Sequence, residues 1–362
     1  MLSRQLVSQG RRSMRIARIG AGVRHGNATA ISRVHADAIR GAHPGLVPGP
    51  LLDANFFPPP GTPTAEGKSL SELKIGFIGW GNMAQSISLG LLNDGVTAPQ
   101  GVMVSGRRDE VLSRAEGKGM AASKCNKEVA EWADVIVVAV KPQVVGKVMP
   151  EIASVWNNEK LLVSVCAGVT IDSFLEALGQ DARVVRTMPN TPSMIGEGVT
   201  AYAGSTQCTE GDLELVSGMF AAVSNATHNV PEHLLDAVTG VSGSGPAYVY
   251  MMIQALSDAG VHGGLPRDVS LSLATQTLIG AAKLVQSSGT HPSVLKEAVT
   301  SPGGTTIAGV RALEQNGFNA AVIAAVDASR TRSQELSKMA SSAPKQRARR
   351  GGSRVRKASR PC

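Results

Sequence analysis

KIGFIG, residues 74–79, is a short apolar run that ends in glycine, and WGNMAQSISLGLLNDG follows it with apolar positions at helical spacing and a stop at Gly95. The junction reads Gly79-Trp80-Gly81-Asn82-Met83-Ala84, a G-x-G-x-x-A pattern. Alone that pattern is weak. Between a strand and the start of a helix it becomes informative, because the glycines let a pyrophosphate approach the backbone. The helix start adds unpaired amides and the positive end of a dipole.

The alternation continues. GVMVSG (101–106) reads as a strand, NKEVAEWA as a helix and VIVVAV (135–140) as a strand, followed by a helix through VVGKVMPEIASV. LLVSVCAG (161–168) is the next strand, TIDSFLEALG a helix and ARVVRTMPN (182–190) a further strand. Continuous apolar strands of this kind suit a parallel sheet covered on both faces. Ligands in such sheets sit at the carboxyl ends of the strands. Those ends are Gly79, Ser105, Val140-Lys141-Pro142 and Val165-Cys166-Ala167, with Met188-Pro189-Asn190-Thr191-Pro192 as a further candidate. The second strand ends in Ser105-Gly106-Arg107-Arg108, where an NAD-binding unit usually carries an acid for the ribose hydroxyls. Two guanidiniums and no carboxylate suit a 2′-phosphate, so the expectation is NADPH, with NADH as the alternative.

Beyond residue 232 the pattern changes to helices punctuated by Gly or Pro: HLLDAVTG, PAYVYMMIQALSDAG, PRDVSLSLATQTLIGAAKLVQSSG, HPSVLKEAV, TIAGVRALEQNG and NAAVIAAVDASRTRSQEL. Their apolar content is high for surface helices, as expected of a face buried against another subunit. TSPGGTT, residues 300–306, interrupts them. Pro302 has no amide to extend a helix. Gly303 and Gly304 can turn several amides inward as an anion nest, and Thr305 and Thr306 open the next helix, whose dipole favours a carboxylate.

The ends of the chain differ from its middle. The net charge is +8, but residues 1–73 contribute +5 and residues 338–362 contribute +9, which leaves the middle at −6. Residues 1–40 hold eight Arg, no Lys and one acid, Asp37, as in a transit peptide; the expectation is mitochondrial targeting, with the cytoplasm or a plastid as alternatives. A Pro/Gly-rich linker follows, and the basic tail, 340–362, reads as disordered. Aromatic residues make up only 3%, and no nucleic-acid partner is expected. No apolar run reaches the length of a membrane span. No two of the four cysteines have CxxC spacing, and no metal site is expected.

From about Lys74 to Met339 the chain resembles the pyrroline-5-carboxylate reductases. The resemblance is carried by GFIGWGNMA, AVKPQ, CAGVTI, MPNTP, VTGVSGSGPAY and VTSPGGTTIAG, the last two being the most specific. It implies an α/β fold: a Rossmann-type doubly wound sheet (74–232) followed by an all-helical dimerisation domain (233–339), in a homodimer that assembles further. It implies reduction of the C=N bond of a cyclic imine by NADPH or NADH to give L-proline. By resemblance Gly79, Trp80, Gly81, Asn82, Met83, Ala84, Ser105, Arg107, Arg108 and Asn126 bind the cofactor. So do Val140, Lys141, Pro142, Gln143, Val165, Cys166 and Ala167. Ser301, Gly303, Gly304, Thr305 and Thr306 hold the substrate, with the loop backbone on its carboxylate and the Thr306 hydroxyl on the ring nitrogen. Ser242-Gly243-Ser244-Gly245-Pro246, a helix break with proline at the first helical position, faces the nicotinamide side by the same resemblance. Trp80 stands where a smaller residue is usual, and its ring is expected to splay outward.

Two rival readings remain. A β-hydroxyacid dehydrogenase needs a base such as Lys283, but the Asn usually found four residues later is Ser287 here. A cofactor sensor without chemistry would keep the glycine loop and lose TSPGGTT, which is intact.

Overall fold

The computed structural model describes residues 70–342. The arginine-rich start, the Pro/Gly linker and the basic tail from residue 343 onward lie outside the described residues. The folded unit begins before Lys74: Leu70 and buried Leu73 already pack against the core.

An eight-stranded sheet has the order β3-β2-β1-β4-β5-β6-β7-β8. β1 (Ile75–Ile78), β2 (Val102–Ser105), β3 (Ala121–Ser123), β4 (Val135–Val138), β5 (Leu161–Ser164) and β6 (Arg183–Met188) are parallel. β7 (Gly198–Gly204) pairs antiparallel with β6, and β8 (Ser224–Asn229) parallel with β7, so the last two strands run the other way. Strand order reverses between β1 and β4, the topological switch where such sheets bind ligands.

The apolar runs are continuous because both faces are covered. Ile75, Phe77, Val135 and Val137 point into one core, and Ile78, Ile136 and Val138 into the other. The connecting helices are α1 (Asn82–Asn93), α2 (Asp109–Glu116), α3 (Asn126–Trp132), α4 (Pro142–Ala153), α5 (Ile171–Leu178) and α6 (Glu210–Ala221). Full burial of a side chain such as Phe77, here 0% exposed, contributes about 1.5–3 kcal/mol. At Gly76 an added Cβ would lie 2.7 Å from Ala133 Cβ, so glycine sets how closely β1 and the end of α3 approach.

The helical half consists of α7 (Leu235–Val238), α8 (Gly245–His262), α9 (Arg267–Ser288), α10 (Pro292–Ala298), α11 (Thr305–Gln315) and α12 (Phe318–Ser342). The expected break at 242–246 is slighter than the sequence suggests. α7 runs into a π-turn at Thr239–Gly243, Ser244 alone interrupts it, and Pro246 is the second residue of α8. Arg186, buried in β6, ties the two halves together: it pairs with Glu232 at 3.2 Å and Asp236 at 3.4 Å, and the Ser333 hydroxyl of α12 donates to Asp236.

Candidate functional site

β2, β1, β4 and β5 are adjacent and parallel, so their carboxyl ends form one row. At the β1 end, Gly79 has φ +88°, and an added Cβ would meet Val140 Cγ1 at 2.8 Å. Only glycine fits that combination. Gly81 caps α1 without a side-chain bond, and the space where its Cβ would point is open. The first-turn amides of α1 at Asn82, Met83 and Ala84 have no partner within the helix. An open, amide-lined turn at a helix start fits a pyrophosphate.

The Ser105 side chain has a different role from the one expected. It is 1% exposed; its Oγ accepts from the Gly79 amide at 3.0 Å and donates to Asn126 Oδ1 at 2.7 Å. The glycine turn needs an acceptor for that amide, so Ser105 works as an internal strut and does not face a phosphate. The amide nitrogen of Asn126, at the start of α3, remains able to donate to a ligand. Arg107 and Arg108 are exposed at the β2 end and carry no ion pair among the described residues, which leaves two guanidiniums free for an anion.

Trp80 also departs from expectation. Its ring turns inward, is 5% exposed and belongs to the core. Its Nε1 donates to Ser88 Oγ at 3.0 Å. A buried indole N–H requires such an acceptor, and Ser88 lies two turns along α1 on the same face. The ring therefore does not crowd the opening.

Lys141 caps α4 with Pro142 at its first position, and Lys141 and Gln143 are exposed beside the β4 end. Cys166 links the β4 and β5 ends: its Sγ donates to Val140 O at 3.2 Å and Val138 O at 3.4 Å. Burial raises its thiol to about 12. Val165 and Ala167, half-buried, flank it. Gly168 follows with φ +72°, and its Cβ position lies 3.1 Å from Leu336 Cβ on α12. Gly243 of the π-turn lies closer still to Met188 at the β6 end, where an added Cβ would be 2.4 Å from Met188 Cε. The Ser242–Ser244 segment thus sits against the β6 end, next to that row, and π-turns recur at functional sites.

The TSPGGTT turn stands apart. Ser301, Gly303, Thr305 and Thr306 are exposed, and no hydrogen bond or ion pair joins them to the sheet among the described residues. Gly303 has φ +69°, with open space at its Cβ position. Gly304 is extended, φ −78°, and its amide donates to Ser301 O at 3.0 Å, so it adds nothing to an anion nest. The donors facing outward are the first-turn amides of Thr305 and Thr306, and no side chain caps the helix. Both threonine hydroxyls are free.

Sequence reasoning missed β3, β7 and β8, and with them the strut at Ser105 and the indole bond at Trp80. Among the described residues no group of three or more His, Cys, Asp or Glu is placed to hold a metal.

Two family models match the chain: NADP oxidoreductase coenzyme F420-dependent over residues 74–168, and pyrroline-5-carboxylate reductase dimerisation over residues 232–336. The chain is 46% identical to pyrroline-5-carboxylate reductase of Arabidopsis thaliana over 269 residues, 73% of this chain and 95% of that protein. It is 43% identical to the Escherichia coli K12 enzyme of that name over 268 residues, 74% of this chain and 99% of that protein. Among solved structures, pyrroline carboxylate reductase of Plasmodium falciparum with NADP bound superposes with a TM-score of 0.68 at 33% identity, covering 74% of this chain and 99% of that one.

Proposed function

The chain belongs to the pyrroline-5-carboxylate reductase family and reduces pyrroline-5-carboxylate to proline with NAD(P)H; from that premise we propose how its own residues divide the work. The observation that carries the proposal is an open, amide-lined glycine turn at the sheet switch together with an exposed SPGGTT turn whose Thr305 and Thr306 amides and hydroxyls have no partner among the described residues.

The Asn82–Ala84 amides take the pyrophosphate, and Gly79 and Gly81 admit it. Arg107 and Arg108 take the 2′-phosphate, which makes NADPH the preferred cofactor. Asn126, Lys141 to Gln143 and Val165 to Ala167 line the remainder. The bound nicotinamide supplies a hydride to the imine carbon. Thr305 and Thr306 amides hold the substrate carboxylate. The Thr306 hydroxyl hydrogen-bonds the ring nitrogen and positions it; a threonine hydroxyl is too weak an acid to be the final proton source, so solvent supplies the proton. Held geometry supplies most of the rate gain. Oxidation of NADPH and NADH, followed with pyrroline-5-carboxylate and a panel of 2- and 3-hydroxyacids, tests the reading. Turnover confined to the imine, with a lower KM for NADPH, is the expected result.

The helical half forms a homo-oligomer. Apart from Met194 and Ile195, every exposed large apolar side chain among the described residues lies between 234 and 323, for example Leu271, Leu273 and Ile279 on α9. Such a surface marks an interface. We place the catalytic turn at that interface and expect dimers to assemble further. We also propose mitochondrial delivery by residues 1–40. Deletion of residues 1–69 is then expected to leave solution activity intact and to abolish import of a fluorescent fusion; a folded but inactive truncation would count against it.

A further inference from the structure

We propose that Trp80, Gln85 and Arg114 form a positioning cluster that holds the glycine turn in its cofactor-ready shape. The proposal rests on the reading of Gly79–Ala84 as the pyrophosphate turn.

Trp80 lies between the two glycines of the turn, and it is anchored at two points. Its ring is fixed from below, where Nε1 donates to Ser88 Oγ and Ser88 in turn donates to the Gln85 carbonyl at 3.3 Å. Its carbonyl is fixed from the side, where Gln85 Nε2 donates to Trp80 O at 3.0 Å. The other end of the same Gln85 amide accepts from Arg114 Nη2 at 3.0 Å. The Arg114 guanidinium also lies 5.9 Å from the Trp80 ring centroid, within cation–π reach. Arg114 sits on α2, the helix that begins just after Arg107 and Arg108. One amide side chain therefore joins the turn to the neighbouring βα unit.

The physical effect follows from the positions. Gly79 and Gly81 have no side chains to restrict them, and Gly81 meets nothing in the direction of a Cβ. A turn free to sample several shapes must be ordered when the cofactor binds, and that cost is subtracted from affinity. Fixing the carbonyl of Trp80 fixes the plane of the peptide that carries the Gly81 amide, so the ordering is done in advance. Ser88 and Gln85 also give the unusually large residue at position 80 a place beneath the turn.

This arrangement makes a prediction distinct from that for the phosphate-binding arginines. NADPH and NADH share the pyrophosphate, so loss of the cluster weakens both alike. Calorimetric titration of the purified protein with NADP+ and with NAD+, in the absence of substrate, reads this directly. Gln85→Ala and Arg114→Met are each expected to raise Kd for both cofactors by about tenfold. The double variant is expected to be little worse than either single one, because both break one linkage. Ser88→Ala, which leaves the buried indole in place and removes only the acceptor of its N–H, tests the lower anchor in the same direction. kcat at saturating cofactor and the thermal midpoint should change little in Gln85→Ala. A Kd within about twofold of the parent for Gln85→Ala, or losses in the two single variants that sum fully in the double, overturns the proposal. Gly81→Val separates it from the underlying reading: if Gly81→Val leaves NADP+ binding unchanged, the turn is not the pyrophosphate site. If Gly81→Val abolishes binding while Gln85→Ala has no effect, the turn stands and only the cluster's role fails.

Discussion

Thr306→Val is expected to lower kcat/KM for the imine by about 10²-fold while leaving cofactor affinity unchanged. Valine matches threonine in shape, so α11 and its first-turn amides stay in place, and only the hydroxyl is lost. Among the described residues that hydroxyl makes no hydrogen bond, so its removal should cost the fold little. The companion variant Gly303→Val acts through the backbone. Gly303 has φ +69°, a conformation that costs a β-branched residue about 1–3 kcal/mol, while the space around it is open. Its loss should appear mainly as weaker inhibition by proline, which carries the carboxylate without the imine. Full retention of kcat/KM in Thr306→Val would show that the hydroxyl has no part in the reaction. Unchanged proline inhibition in Gly303→Val would place the carboxylate elsewhere.

The second large effect concerns cofactor choice. Replacing both Arg107 and Arg108 by Ala should raise KM for NADPH by roughly 10²-fold, because each charge-assisted contact is worth about 1.5–3 kcal/mol and part of that is screened in so exposed a site. KM for NADH should move little, since the ribose hydroxyl makes no such contact. Neither arginine is paired among the described residues, so the double variant strands no carboxylate there and the fold should be unaffected. Parallel losses for both cofactors would rule out a 2′-phosphate role. Burial of Ser105 narrows the question to the two arginines, because the serine hydroxyl is already occupied at both ends.

Much of this architecture is written locally. β1 and β4 are four-residue apolar runs and β5 an apolar run ending in buried Ser164, each with a turn residue close behind, and each alone reports a strand buried on both faces. The helical half is equally legible because Gly, Pro and His mark its boundaries. β8 is different. Its residues are SNATHN, only Ser224 is buried, and it is a strand because β7 offers it a ladder. β3, Ala-Ala-Ser, is likewise made by its neighbour. Pairing of this sort is a long-range property, and periodicity does not contain it. The site divides in the same way. The glycines at 79 and 81 and the SPGGTT turn are visible as residue types that only special backbones require. The direction of a side chain is not. Ser105 turns inward because the Gly79 amide needs an acceptor, and Trp80 turns inward because Ser88 waits two helical turns away. Gly303 and Gly304 look equivalent in the sequence, yet one occupies the left-handed region and the other spends its amide on Ser301.

The thiol that joins the β4 and β5 ends also bears on how the enzyme withstands oxidants. Peroxides and electrophiles attack the thiolate, and burial raises the Cys166 thiol to about 12, so the protonated form prevails at neutral pH. Burial at 3% exposure adds a steric barrier to the chemical one. The sulfur at these strand ends is thus kept off the first rung of the oxidation ladder.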